Sequence, residues 1–321
     1  MSSHQEQILN YYFTNYTKCP KDPRFFASWQ FLAFSCHIVL IPLLPMLNTK
    51  WVIFNCYFWS CSMDILLCSL ITPFYFLPTI SGFPVGFLSY LGVPTFIQLY
   101  SGIITFIILI CSIIVNFEHK KSSLKPTGKF WRTLLHVLNF LLPMGLLFPV
   151  SLNSPDQEYG KLIILSRIPC PHEEFFTAPL FIVTVDTFWN SYFFYTCHFL
   201  LLVYNTEVIY FITKCIYQLY NANYAKSAST LKLQKAFFIA SIIQVTVSTI
   251  FYGIPSGLVI YVSMKDFYDQ VINNFITITF VFHGLATTVI MLYVHYPYRR
   301  FVKSLVFGKR GAAVQPEVLP V

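Results

Sequence analysis

Charge is what this sequence has least of. Only 11% of its 321 residues are Asp, Glu, Lys or Arg. A water-soluble domain carries about 25% charged residues, and with 56% hydrophobic residues this chain has too little polar surface to cover a soluble fold. That excludes the two soluble domains that length alone suggests. Catalytic signatures are missing too: there is no Gly-x-Ser-x-Gly, no His-Glu-x-x-His and no glycine-rich phosphate loop. No pair of cysteines has metal-ligand spacing, so neither a zinc site nor another cofactor is expected, and no enzyme activity. The first 25 residues lack the apolar core of a cleavable signal peptide.

What the chain has in abundance is long apolar runs. A bilayer core takes about 20 apolar residues in a helix, and seven segments qualify: 26–47, 51–77, 92–117, 131–152, 179–213, 236–262 and 273–296. The reading is an all-α, multi-pass membrane protein, a bundle of seven transmembrane helices over 26–296. A tail over 1–25 precedes it. A tail over 297–321, with a possible short amphipathic helix, follows it. Pro143 and Pro149 in the fourth run are tolerable, because neighbouring helices can satisfy the backbone groups they free.

The net charge of +8 is spread in short clusters between the runs, not gathered in a basic domain, so a nucleic-acid partner is not expected. The clusters read as topology signals. Lys50, the 120–132 cluster, the 214–235 cluster and the 299–310 cluster place fifteen basic residues on one side, against six on the other. By the positive-inside rule the C-terminus is cytosolic and the N-terminus outside. The first run taken alone argues the reverse, with three basic residues before it and only Lys50 after it. The sum over the remaining loops outweighs it, and Asn15-Tyr16-Thr17, an N-glycosylation triplet, agrees with an outer N-terminus.

Most of the nine cysteines lie inside apolar runs, where they act as small hydrophobes. Cys19 and Cys170 alone fall in polar segments on the outer side. They are expected to pair; two free thiols near the membrane is the alternative.

Polar residues within a span are candidates for function. Asp64 is either a hub that responds when helices rearrange or a side chain bonded to a neighbouring helix. Asp186, with Trp189 and Asn190 beside it, either lines a ligand pocket or faces water near the interface. His283, next to Gly284, is a pocket candidate but a poor metal ligand, having no second ligand at helical spacing. Arg299 and Arg300 read as snorkelling anchors or as part of a partner surface. A pore would show a re-entrant filter or rings of charge. A transporter would show matched halves, and a retinal site a lysine in the last run; none is present. What remains is a receptor plan.

Specific strings sharpen it. "ITPFYFLPTISGFPVGFLSYLGVP" leaves the second run, and the third run carries Gln98. "NFEHK" ends that third run at residues 116–120. "STLKLQKAFFIASIIQVTVSTIFYGIP" holds Gln244 and Pro255, and "FHGLATTVIMLYVHYPYRRF" closes the last run. Over 10–305 the chain resembles the nematode serpentine chemoreceptors of class H. Phe-Glu-Asn-Arg is the usual form at the end of the third span, so His119 and Lys120 are departures; Lys keeps the charge but loses the forked donors of Arg.

The resemblance implies a rhodopsin-like bundle in the plasma membrane, in sensory cilia of chemosensory neurons. It implies a small odorant-like ligand in the outer half, near Gln98, Asp186, Trp189, Asn190, Tyr252 and His283. It also implies coupling to a heterotrimeric G protein through Glu118, His119, Lys120, Leu231, Gln234, Lys235, His295, Pro297, Tyr298, Arg299 and Arg300, with Asp64 and Pro255 as structural residues. A ligand-gated channel, a transporter or a non-signalling membrane protein is the alternative.

Overall fold

The computed structural model describes residues 3–19, 24–40, 51–124, 128–168, 170–220 and 228–294. In chain order the helices are α1 (Ser3–Thr14), α2 (Trp29–Leu40), α3 (Trp51–Ile65, widening into a π turn over Leu66–Ile71), α4 (Phe87–Tyr90), α5 (Thr95–Leu124), α6 (Lys129–Leu152), α7 (Gln157–Arg167), α8 (Glu174–Thr177), α9 (Thr187–Tyr220), α10 (Ala228–Lys265) and α11 (Gln270–Val294). Three short strands complete the described fold: β1 (Pro73–Tyr75), β2 (Ile80–Pro84) and β3 (Phe181–Thr184).

Helices α2, α3, α5, α6, α9, α10 and α11 correspond to the seven apolar runs. Of these, α5, α6, α9 and α10 are each long and apolar enough to cross a bilayer. Exposed Phe, Leu and Ile side chains, such as Phe34, Phe58, Leu141, Phe148, Phe199 and Ile209, project from them as lipid requires. In the described bundle α5 packs on α3, α6 and α9, and α11 packs on α10 and α2.

Several expected boundaries shift. The second run is helical only to Ile71, where Thr72 turns into the left-handed region (φ 44°) and residues 73–75 become β1. Gly86 fixes this crossing. A Cβ there would meet the Leu70 carbonyl at 2.5 Å, and its N–H donates to the Ile71 carbonyl at 2.8 Å, so β2 leaves directly over the end of α3. The fifth run begins as a strand, and its helix starts only at Thr187. The N-terminal tail carries a helix, α1, which packs on α7. The helical bundle also carries one small antiparallel sheet of order β1-β2-β3, with a bulge between Ile80 and Ser81.

The sheet caps one end of the bundle. Phe74, Phe76, Phe83 and Ile182 bury one apolar layer with Ile164 and Leu165 of α7 and Phe175 of α8. Edge strand β3 would leave unpaired backbone groups. The Gln157 side chain covers two of them, accepting from Ile182 N–H at 2.8 Å and donating to the Ile182 carbonyl at 3.2 Å.

The start of α11 ties this cap down. Asp269 accepts from the N–H groups of Val271 (2.8 Å) and Ile272 (3.3 Å) and pairs with Arg24 at 2.8 Å. Gln270 donates to the Tyr75 carbonyl at 3.0 Å, Asn273 to that of Leu77 at 3.3 Å, and Asn274 to that of Phe26 at 2.9 Å. Buried backbone carbonyls are costly to leave unpaired, and three amides on one helix satisfy these.

Cys19 and Cys170 form a disulfide with a Cα–Cα distance of 5.7 Å, joining the segment after α1 to the one before α8. Tyr12 and Tyr16 stack on each other, and Phe176 meets Tyr12 edge-on and Tyr16 at a tilt. Burial pushes the Tyr16 phenol up to about 12, with the Glu173 and Glu174 carboxylates adding to the shift.

Candidate functional site

Beneath the sheet lies a cavity of about 360 Å³. Its floor and sides come from α3, α5, α6, α9, α10 and α11, and its roof from β2 and β3. Aliphatic and aromatic side chains dominate: Leu67 and Ile71, Phe106, Leu147, Phe193 and Phe194, Phe280. No Asp, Glu, Lys or Arg is among its described lining residues.

Of the residues expected at a ligand site, Gln98 and Tyr252 line this cavity. Gln98 is 1% exposed, and its amide nitrogen donates to the Val93 carbonyl at 2.8 Å. His283 stands behind Tyr252. Its Nε2 lies 2.8 Å from Ser248 Oγ and its Nδ1 3.1 Å from Tyr252 Oη, with the two rings 4.6 Å apart. Asp186, Trp189 and Asn190 do not line the cavity. Asp186 is exposed and caps α9, accepting from the N–H groups of Phe188 at 2.7 Å and Trp189 at 3.3 Å.

Other wall residues carried no expectation. His198 of α9 stands in an apolar run, the same signal that singles out His283, whereas Tyr204 runs straight into Asn205, Thr206 and Glu207 and gives no such signal. Ser81 and Tyr75 reach the cavity because the sheet folds back over the bundle, which a helical reading of 51–77 hides.

Asp64 is 4% exposed and lies against the backbone of Gly284 in α11, so that a Cβ at that position would overlap its carboxylate. Pro255 is buried within α10, which remains one helix from Ala228 to Lys265.

At the far end of α5, Glu118 is 2% exposed and pairs with Arg132 of α6 at 2.9 Å; His136 Nε2 is 3.7 Å from it. Lys120 bonds Ser241 of α10 and sits over the Phe117 ring at 5.6 Å, whereas His119 is exposed. These residues join α5 to α6 and to α10 at the end opposite the sheet. Lys235 lies on α10 and is half-buried; Leu231 and Gln234 belong to the same helix, their side chains outside the described residues. His295, Pro297, Tyr298, Arg299 and Arg300, and the expected amphipathic helix of 297–321, also lie outside the described residues. Asn15 is exposed on the capped end.

A capped seven-helix bundle around an apolar cavity is the setting in which comparison with known proteins becomes decisive. The family model described as "Serpentine type 7TM GPCR chemoreceptor Srh" matches residues 44–308. The chain belongs to this family. Serpentine receptor class H-72 of Caenorhabditis elegans is 30% identical over 337 aligned positions, which cover 98% of this chain and 97% of that one. As an Srh-family chain this is a multi-pass membrane protein of the seven-transmembrane chemoreceptor type. The string "YVHYPYRRF" lies within the matched region, as do the cavity residues from Met63 to Phe280.

Proposed function

We propose that this Srh-family chain is a chemosensory receptor that binds a small, odorant-like molecule in the cavity beneath the sheet and signals to a heterotrimeric G protein at the opposite end of the bundle. The observation that carries the reading is the cavity itself. It is apolar, lies within the size range of small-molecule sites and is framed by the helices that a receptor would have to move.

The orientation follows from the positive-inside sum. It puts the Cys19–Cys170 bond in an oxidising compartment and Asn15 where it can be glycosylated. The plasma membrane, and sensory cilia within it, are the corresponding location. A ligand shifts the receptor only as far as it prefers one arrangement over the other. Tyr252 touches the cavity and, through His283, the neighbourhood of Gly284 and Asp64; Pro255 lies one turn further along the same helix. Motion there would open the end that holds Lys120 and Ser241, together with Glu118 and Lys235.

Co-expression with a G protein, an activation readout and a panel of volatile compounds tests this. Gly102 lines the cavity, and its Cβ would have open space until Ile71 Cδ1 at 3.8 Å. Gly102→Leu should abolish the response at unchanged surface expression. Arg299→Ala with Arg300→Ala should weaken activation but not ligand binding. Ligand-evoked current that needs no G protein would instead establish a channel.

A further inference from the structure

Resting on that reading of the cavity, the hydrogen bonds in its wall narrow the ligand's chemistry. Most polar groups around it have already committed their protons. Tyr204 donates to the Asn139 carbonyl at 2.8 Å, Ser256 to that of Tyr252 at 2.6 Å, Thr277 to that of Asn273 at 3.2 Å and Thr95 to that of Pro179 at 2.9 Å.

Tyr252 resolves the same way. Ser248 donates to the Gln244 carbonyl at 3.0 Å, so Ser248 Oγ accepts from His283 Nε2–H. Neutral imidazole then offers a lone pair at Nδ1, and the Tyr252 hydroxyl donates to it. Ser81 donates to Thr79 Oγ1, whose own proton goes to the Phe76 carbonyl at 2.6 Å.

Two lining residues are left with a buried polar atom and no partner among the described residues: Gln98 Oε1 and His198 Nε2. Both are acceptors. The Gln98 amide nitrogen is fixed by the Val93 carbonyl, which can only accept. His198 Nδ1 is 2.6 Å from the Phe194 carbonyl, which requires the proton on Nδ1 and leaves Nε2 a lone pair. Among the described residues, Tyr75 is the one lining hydroxyl with no hydrogen-bond partner. Buried acceptors without donors are costly to maintain, and the described lining residues include no Asp, Glu, Lys or Arg to hold an ion.

We infer that the cavity takes an uncharged, largely apolar molecule carrying a hydrogen-bond donor, an alcohol, phenol or primary amide, whose N–H or O–H satisfies Gln98 Oε1 or His198 Nε2. Size follows by scaling: an apolar cavity of about 150 Å³ takes benzene, so this one holds roughly a dozen non-hydrogen atoms.

The probes are 4-phenyl-1-butanol, its methyl ether, 4-phenylbutanoate and 4-phenylbutylammonium, titrated against the purified full-length receptor in lipid nanodiscs by thermal shift. The alcohol should bind about tenfold more tightly than the ether, the value of one neutral hydrogen bond, and neither ion should bind. Combining Gln98→Met with His198→Phe should reduce the alcohol-to-ether ratio to near one. Gly102→Leu and, independently, Leu147→Trp, each verified by native melting, should remove binding of both.

Equal binding of ether and alcohol that both filling variants erase would overturn the donor requirement while leaving the cavity reading intact. Binding that survives both filling variants would overturn the cavity reading. Binding of either ion, or of none of the four probes, would also overturn the inference.

Discussion

Asp64 of α3 lies so close to the backbone of Gly284 in α11 that no side chain larger than hydrogen fits between them. The two helices touch where one supplies a carboxyl group and the other supplies nothing. Gly284→Ala should therefore destabilise the receptor by about 1–3 kcal/mol, the usual range for overpacking. Adding Asp64→Ala should recover much of that loss. Melting temperatures of the two single variants and the double variant measure the coupling.

Either Cys19→Ser or Cys170→Ser should lower stability by about 2–4 kcal/mol, and the double variant by no more than one single, because each removes the same bond. Non-reducing peptide mapping of the native protein should recover one linked peptide containing both residues.

Next to that bond, Glu174 pairs with His172. Burial alone would raise the Glu174 carboxyl, but hydrogen bonds from His172 and the local backbone, with the imidazole's charge, outweigh it and hold the group below its ordinary 4.5. A depressed carboxylate contributes stability above its unfolded value and loses it as pH falls through the folded one. The capped end should thus loosen below about pH 4.5. Glu174→Gln should flatten that acid limb of a melting-temperature profile by lowering the neutral plateau, and the two profiles should converge at low pH.

At the other end, Arg132→Ala would leave the Glu118 carboxylate buried without its cation. Removing one partner of a buried charged pair costs about 1–3 kcal/mol or more. Replacing both, as Glu118→Gln with Arg132→Gln, should cost less. Thermal melting with and without a bound G protein would separate stability from coupling.

Much of this architecture is legible in the chain because apolar length is a strong signal. The runs 92–117 and 236–262 declare the helices Thr95–Leu124 and Ala228–Lys265, and the polar punctuation around Cys19 and Cys170 marks the segments that meet. The sheet is not legible. Phe74 and Phe76 extend the apolar run of 51–77, the prolines and glycines after them mark only a break, and the backbone crossing at Gly86 reveals that helix has given way to strand. The roof of the candidate site stays hidden for the same reason, since β2 and β3 supply it. Asp186 admits two readings in the sequence, a pocket wall or a residue facing water near the interface, and the structure takes the second, with the carboxylate capping the helix that starts at Thr187.

Pro143 has no N–H to offer the carbonyl four residues earlier. That carbonyl, on Asn139, receives the Tyr204 hydroxyl instead, and the Asn139 side chain donates to Glu207 at 2.8 Å. A proline gap that would ordinarily let a helix yield is bolted to its neighbour at two points. Parting α6 from α9 there would strand buried polar groups at about 1–3 kcal/mol each. The pair therefore travels as one rigid strut, and whatever moves in this bundle must pivot around it.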